Sequence, residues 1–213
     1  MARGGGTSQE TGAVGTPRRA SSRQMLARVR AFAPLAAAGA LGVLTVAAGV
    51  GFALALARPD LDLGPASNLL AVHEARAETA LAAGDLEAAE ASTRAALAEA
   101  PLTSHVWARQ ALLAYRREGQ LGPATVAALE RSYAVAPYGP DITEWRLAFL
   151  LEHWGELPPQ LRASALDELK VLATYRPGPA QALAGMVSDP SGRLAATAAI
   201  RLGQLEARRA QAG

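Results

Sequence analysis

The side chains able to do chemistry are few and scattered. His73, His105 and His153 lie far apart, and none has a histidine or carboxylate four residues on. A helical metal site needs ligands that converge from one face. His73 and Glu74 are neighbours, so on a helix they point in different directions. Asp167 and Glu168 are adjacent carboxylates flanked by Arg162 and Lys170, which reads as a solvated helix face. Trp154 with Glu152 and Glu156 is the only candidate cluster of the exposed-aromatic and carboxylate kind that a carbohydrate site would want. A Gly-rich phosphate loop and a nucleophile elbow are both missing. With no cysteine there is no thiol chemistry, disulfide or thiolate metal site. The sequence therefore predicts no enzyme, no catalytic or metal-binding residues and no cofactor.

The charge is placed unevenly. Residues 1–30 hold Arg3, Arg18, Arg19, Arg23, Arg28 and Arg30 against the single acid Glu10. Of the chain's 21 basic and 19 acidic side chains, 15 and 18 remain beyond that tail. The rest is thus mildly acidic, which argues against a nucleic-acid partner. The tail is rich in Gly, Ser, Thr and Arg and has little to bury, so a disordered basic cytoplasmic segment is expected over 1–30. Residues 31–57 follow without a single charge, and Thr45 is the one polar side chain among them. About 20 apolar residues span a hydrocarbon core. Ala55-Leu56-Ala57 before Arg58 offers a cleavage site, but 27 uncharged residues exceed a signal peptide's apolar region. Residues 31–57 are accordingly predicted to be a retained single transmembrane helix. The arginines before it set the N-terminus in the cytoplasm. The remainder then lies outside, periplasmic or extracytoplasmic, on the inner (plasma) membrane. Ala38, Gly42, Thr45 and Gly49 form a small-residue ridge suited to self-association of that helix.

Residues 58–68 form a linker broken by Pro59, Gly64 and Pro65. Beyond it the pattern is helix, turn, helix, three times over. The spacing predicts helices over 69–83 and 86–100 around Gly84-Asp85, and over 104–117 and 123–136 around Glu118-Gly119-Gln120. A third pair covers 141–154 and 159–175, with Gly155 and Pro158 between them. Pro101, Pro137 and Pro177 close the three units. A period of this length, two helices to a unit, marks a helical solenoid over 69–177. Residues 178–213 supply capping helices near 180–187 and 191–209, the second opened by Asp189-Pro190.

Residues 70–103 resemble a tetratricopeptide repeat. The features that carry the likeness are Gly84-Asp85-Leu86 at the turn, Ala89 and Ala96-Leu97 where the helices cross, and Pro101 at the close. His73 and Ala80 depart from the family's usual large residues. The second unit keeps Trp107, Gly119, Leu121, Ala124 and Pro137; the third keeps Trp145, Gly155 and Leu157. Trp107 and Trp145 are expected in the core; Trp154 is either a partner contact or a plug at the end of its helix pair. The segments Trp145-Arg146-Leu147, Glu152-His153-Trp154 and 157–162 are also reminiscent of small membrane proteins of bacterial surface-polysaccharide synthesis.

The fold class expected is all-α: one transmembrane helix, then a short solenoid of tetratricopeptide-like helix pairs. The resemblance implies a concave groove lined by the first helix of each pair. Its positions would be Glu74 and Glu78, then Leu112, Tyr115 and Arg116, then Arg146, Leu150, His153 and Trp154. Such a surface suits a peptide or partner helix, and so a scaffold or assembly factor whose partners are proteins of an envelope complex. The alternatives are an accessory subunit of surface-polysaccharide synthesis or export, and a polysaccharide-processing enzyme. Orientation is directly testable. A reporter fused after Gly213 should be active only outside the cytoplasm, and the mature protein should retain Arg30 by mass spectrometry. Activity of that fusion in the cytoplasm would reverse the predicted topology.

Overall fold

The structure is a computed structural model and describes residues 41–42, 44–58, 60–61, 63–64 and 69–212. The expectations for 1–30 and for most of the first half of the apolar stretch lie outside those residues. The chain divides into two units, Met1–Gly49 and Val50–Gly213. In the first, the described residues 41–42 and 44–49 are helical; in the second, residues 50–57 are helical. Among the described residues no helix is long and apolar enough to cross a membrane, and no strand is present.

The second unit is all-α. Its helices are α1 (Leu70–Ala83), α2 (Leu86–Glu99), α3 (Ser104–Glu118), α4 (Pro123–Val135), α5 (Thr143–Glu152), α6 (Pro159–Tyr175), α7 (Pro177–Met186) and α8 (Pro190–Ala212). The punctuation is local chemistry. Gly84 (φ 78°) and Gly119 (φ 67°) end α1 and α3 in the left-handed region, which glycine enters without steric cost. The Asp85 carboxylate accepts from the Ala88 amide at 3.0 Å and opens α2. Prolines occupy the first turn of α4, α6 and α7, where the missing N–H would have had no helical partner anyway. Asp189 accepts from the Gly192 amide at 2.6 Å and from the Ser191 hydroxyl at 2.5 Å as α8 begins.

The two-residue link between α1 and α2 folds them back on each other, and α3 and α4 form a second hairpin. Ala89 and Ala96 are fully buried in α2, as small residues at a close crossing should be. The third unit departs from this plan. Residues 136–142 stay outside a regular helix, α5 is only 10 residues long, and a 3-10 turn (Trp154–Glu156) follows it. Its partner α6 packs mainly along α8 rather than α5. Gly192 and Gly203 make α8 fit: a Cβ on the first would strike the Leu151 carbonyl, and on the second the Lys170 carbonyl. The largest core joins Leu147, Leu150 and Leu151 of α5 to Leu161, Leu169 and Leu172 of α6 and to Ala196 and Ile200 of α8.

Overpacking either approach should be measurable. Ala89→Leu in the first hairpin and Gly192→Ala at the α5–α8 contact should each cost about 1–3 kcal/mol. Denaturant unfolding of the full chain in detergent checks this, and an unchanged midpoint for Ala89→Leu would displace the assigned crossing.

Candidate functional site

The helices α1, α3 and α5 each open a helix–turn–helix unit, and side chains from all three, with the segment before α5, line one open cavity of about 390 Å3. Glu78 and Leu81 come from α1, and His105, Arg109 and Leu112 from α3. Asp141, Ile142 and Trp145 close it at the start of α5. Two contacts tie α1 to α3 along its edge. Glu74 meets the His105 Nε2, and the Arg109 Nη2 donates to Glu78 at 3.3 Å. Both pairs step four residues along each helix, so they stack one turn apart. The Arg109 Nη1 is buried without a hydrogen-bond partner.

An aromatic strip continues this face along α5. Trp145 stacks on Phe149 with centroids 5.4 Å apart, and Phe149 lies 4.8 Å from His153. These residues recur every four positions and so form one stripe. Tyr115 of α3 meets it edge-on, 5.3 Å from Phe149 and 4.8 Å from His153. The resulting surface has carboxylates at the α1 end and aromatics at the α5 end.

Seven of the nine groove residues expected from sequence remain solvent-accessible. Glu78 and Arg116 are exposed; Glu74, Leu112, Tyr115, His153 and Trp154 are half-buried. Trp154 packs against the core, with the Arg162 guanidinium 5.9 Å from its ring. Leu150 and Arg146 do not belong to the groove, because both are 0% exposed. Leu150 is ordinary core. His105, Arg109 and Phe149 were missed, and Trp145, expected in the core, instead lines the cavity. The signal was the four-residue spacing of 145, 149 and 153. Trp107 is half-buried against the core and donates from Nε1 to the Pro101 carbonyl at 2.8 Å. The Trp154 cluster also differs from a carbohydrate site, since Glu152 accepts from the Ser188 and Asp189 amides at 2.7 and 3.2 Å.

Arg146 sits instead at the centre of a buried polar network. Its Nη2 and Nε donate to the two oxygens of Glu168 at 2.6 and 3.1 Å. The remaining donors reach the Ser132 hydroxyl (3.1 Å) and the carbonyls of Ala136 (3.0 Å) and Pro137 (3.0 Å). All five guanidinium N–H groups are thereby used. Glu168, read from sequence as solvated, is 1% exposed. It also accepts from the Tyr133 hydroxyl at 2.7 Å and the Thr143 hydroxyl at 2.6 Å. The guanidinium lies 3.8 Å from the Tyr133 ring centroid. Burial, and then the Glu168 carboxylate, hold the Tyr133 phenol far above its ordinary range, so it remains a neutral donor.

Comparison with protein-family models, with curated proteins and with solved structures finds no match. Among the described residues no group of three or more His, Asp or Glu side chains gathers to hold a metal ion.

Removing one partner of a buried ion pair leaves the other uncompensated, so Arg146→Ala should cost about 3–5 kcal/mol. Tyr133 gives the network a pH signature. Its folded pKa is raised, so its contribution is full below the unfolded phenol's pKa of about 10. That contribution is lost as pH rises beyond this value, because the unfolded chain then ionises first. Tyr133→Phe should be less stable at neutral pH and should lose less on passing to alkaline pH. A wild-type and variant difference that stays constant from pH 8 upward would contradict the assignment.

Proposed function

We propose that this chain is a membrane-anchored protein-interaction module that receives an extended peptide along the face built by α1, α3 and α5. The observation that carries the reading is the single cavity to which three successive helix–turn–helix units contribute. Helical solenoids bind along an extended concave surface to which successive repeats contribute, and the shared cavity supports that reading. The rim favours a peptide with basic side chains toward Glu74 and Glu78 and an apolar anchor toward Trp145 and Phe149.

The anchor is supported by composition and exposure. Leu41, Leu44 and Val46 are 65–67% exposed on a helical stretch that carries no charge. Contiguous apolar surface of that kind calls for a lipid or protein cover. On this reading the helical unit stands outside the cytoplasm, and its role is scaffolding or assembly of an envelope complex.

A photo-crosslinking residue at Leu112 in the full chain tests the groove. Partner peptides should be captured there and not from Arg94 or Arg201, which are exposed on α2 and α8. Trp145→Ala and Tyr115→Ala should each weaken capture by on the order of 1–3 kcal/mol, roughly tenfold or more. Equal capture by a folded double variant would eliminate the groove as the binding face.

A further inference from the structure

A second concave region lies elsewhere on the helical unit, around Tyr138. This tyrosine follows α4 and separates two cavities. One, about 430 Å3, lies between α4 and α6 and is bordered by Glu130, Gln160, Ser164 and Asp167. The other, about 350 Å3, lies between α6 and α8 and is bordered by Asp167, Lys170, Glu206 and Tyr175. A third and smaller one, about 170 Å3, lies between Tyr138 and Tyr175 and extends to Thr143. Tyr138 and Tyr175 are 55% and 80% exposed. Large aromatics this open gain little from folding, so their placement along a row of cavities calls for a ligand that uses their rings.

We infer that this region binds a linear, uncharged glycan strand, with Tyr138 and Tyr175 stacking on sugar rings. Sugars present apolar C–H faces to an aromatic and hydroxyls at their edges. The groups bordering the cavities match those edges: carboxylates as acceptors, the Gln160 amide and the Ser164 hydroxyl as both donor and acceptor. Glu130, Asp167 and Glu206 border the two larger cavities together with the single cation Lys170. Lys170 already sits among the acids, with its Nζ 2.7 Å from Asp167. The Glu206 carboxylate further stabilises its ammonium, so part of the acidic charge is already met from within. Two cavities sharing Asp167 and Tyr138 suit a strand of several sugar units rather than a monosaccharide. This site shares no residue with the α1–α3–α5 cavity, and it does not depend on the peptide reading.

The test uses the full chain in a detergent without a sugar headgroup. A panel of neutral and amino-sugar oligosaccharides is screened by saturation-transfer NMR, with spermine as the cationic probe. At least one neutral oligosaccharide of four or more units should bind. Tyr138→Ala and Tyr175→Ala should each weaken it tenfold or more without moving the thermal midpoint, since both side chains are largely exposed. Leu112→Asp, in the other cavity, should leave that affinity unchanged. The inference is overturned if no member of the panel binds, if the double tyrosine variant binds as the wild type does, or if spermine binds there in preference to every neutral sugar.

Discussion

The ion pair between Arg146 and Glu168 is the constraint on which the helical unit turns. An arginine and a glutamate withdrawn from water are costly to bury, and the cost is offset only when every donor and acceptor finds a partner. Here the guanidinium spends its donors on α6, on Ser132 of α4 and on two carbonyls that follow α4. Ser132 in turn donates to the Ser104 carbonyl at the start of α3 at 2.9 Å. One side chain on α5 therefore fixes that helix against α4 and α6, and Ser132 carries the tie on to α3. Apolar packing alone tolerates sliding and rotation more readily than a set of directional bonds does.

That fixation sets which face of α5 meets the groove. Arg146, Leu147, Leu150 and Leu151 form the buried stripe. Trp145, Phe149 and His153 lie along its flank, about 100° per residue round the helix. With Arg146 held, the flank must turn toward Tyr115 of α3. Leu147, Leu150 and Leu151 seat α5 in the largest core, and the directional bonds of Arg146 add a fixed rotation to that packing.

Much of the architecture was legible because glycine and proline punctuate it. Gly84 and Gly119 mark turns that only a left-handed residue closes easily, and the prolines mark first turns. The helix ends read from them agree with the structure to within a few residues. The third unit was less legible, since Gly139-Pro140 delays α5 in a way that periodicity does not reveal. Of the cavity's lining, Glu78 and Leu112 were legible, because they follow the spacing of the first helix in each pair. Arg146 was misplaced because an arginine on a helix is ordinarily a surface residue. The contrary signal was available: Thr143, Arg146, Leu147 and Leu150 share one stripe, as do Leu161, Ala165, Glu168 and Leu172. One opposite charge in each of two otherwise apolar stripes is the pattern of a pair that faces inward.

The same clamp reaches the other concave region. The carbonyls of Ala136 and Pro137 bond to Arg146, so the backbone directly before Tyr138 is drawn inward and held. Gly139 continues the anchoring, its carbonyl accepting from the Ile142 and Thr143 amides at 2.9 Å. Tyr138 stands between these two fixed points with its ring largely in solvent. A loop held on both sides of an exposed aromatic presents that ring with little conformational freedom left to lose when something stacks on it. The groove aromatics on α5 and the tyrosine after α4 are thus positioned by one buried guanidinium. A change at Arg146 must therefore disturb both faces together, although neither face contains it.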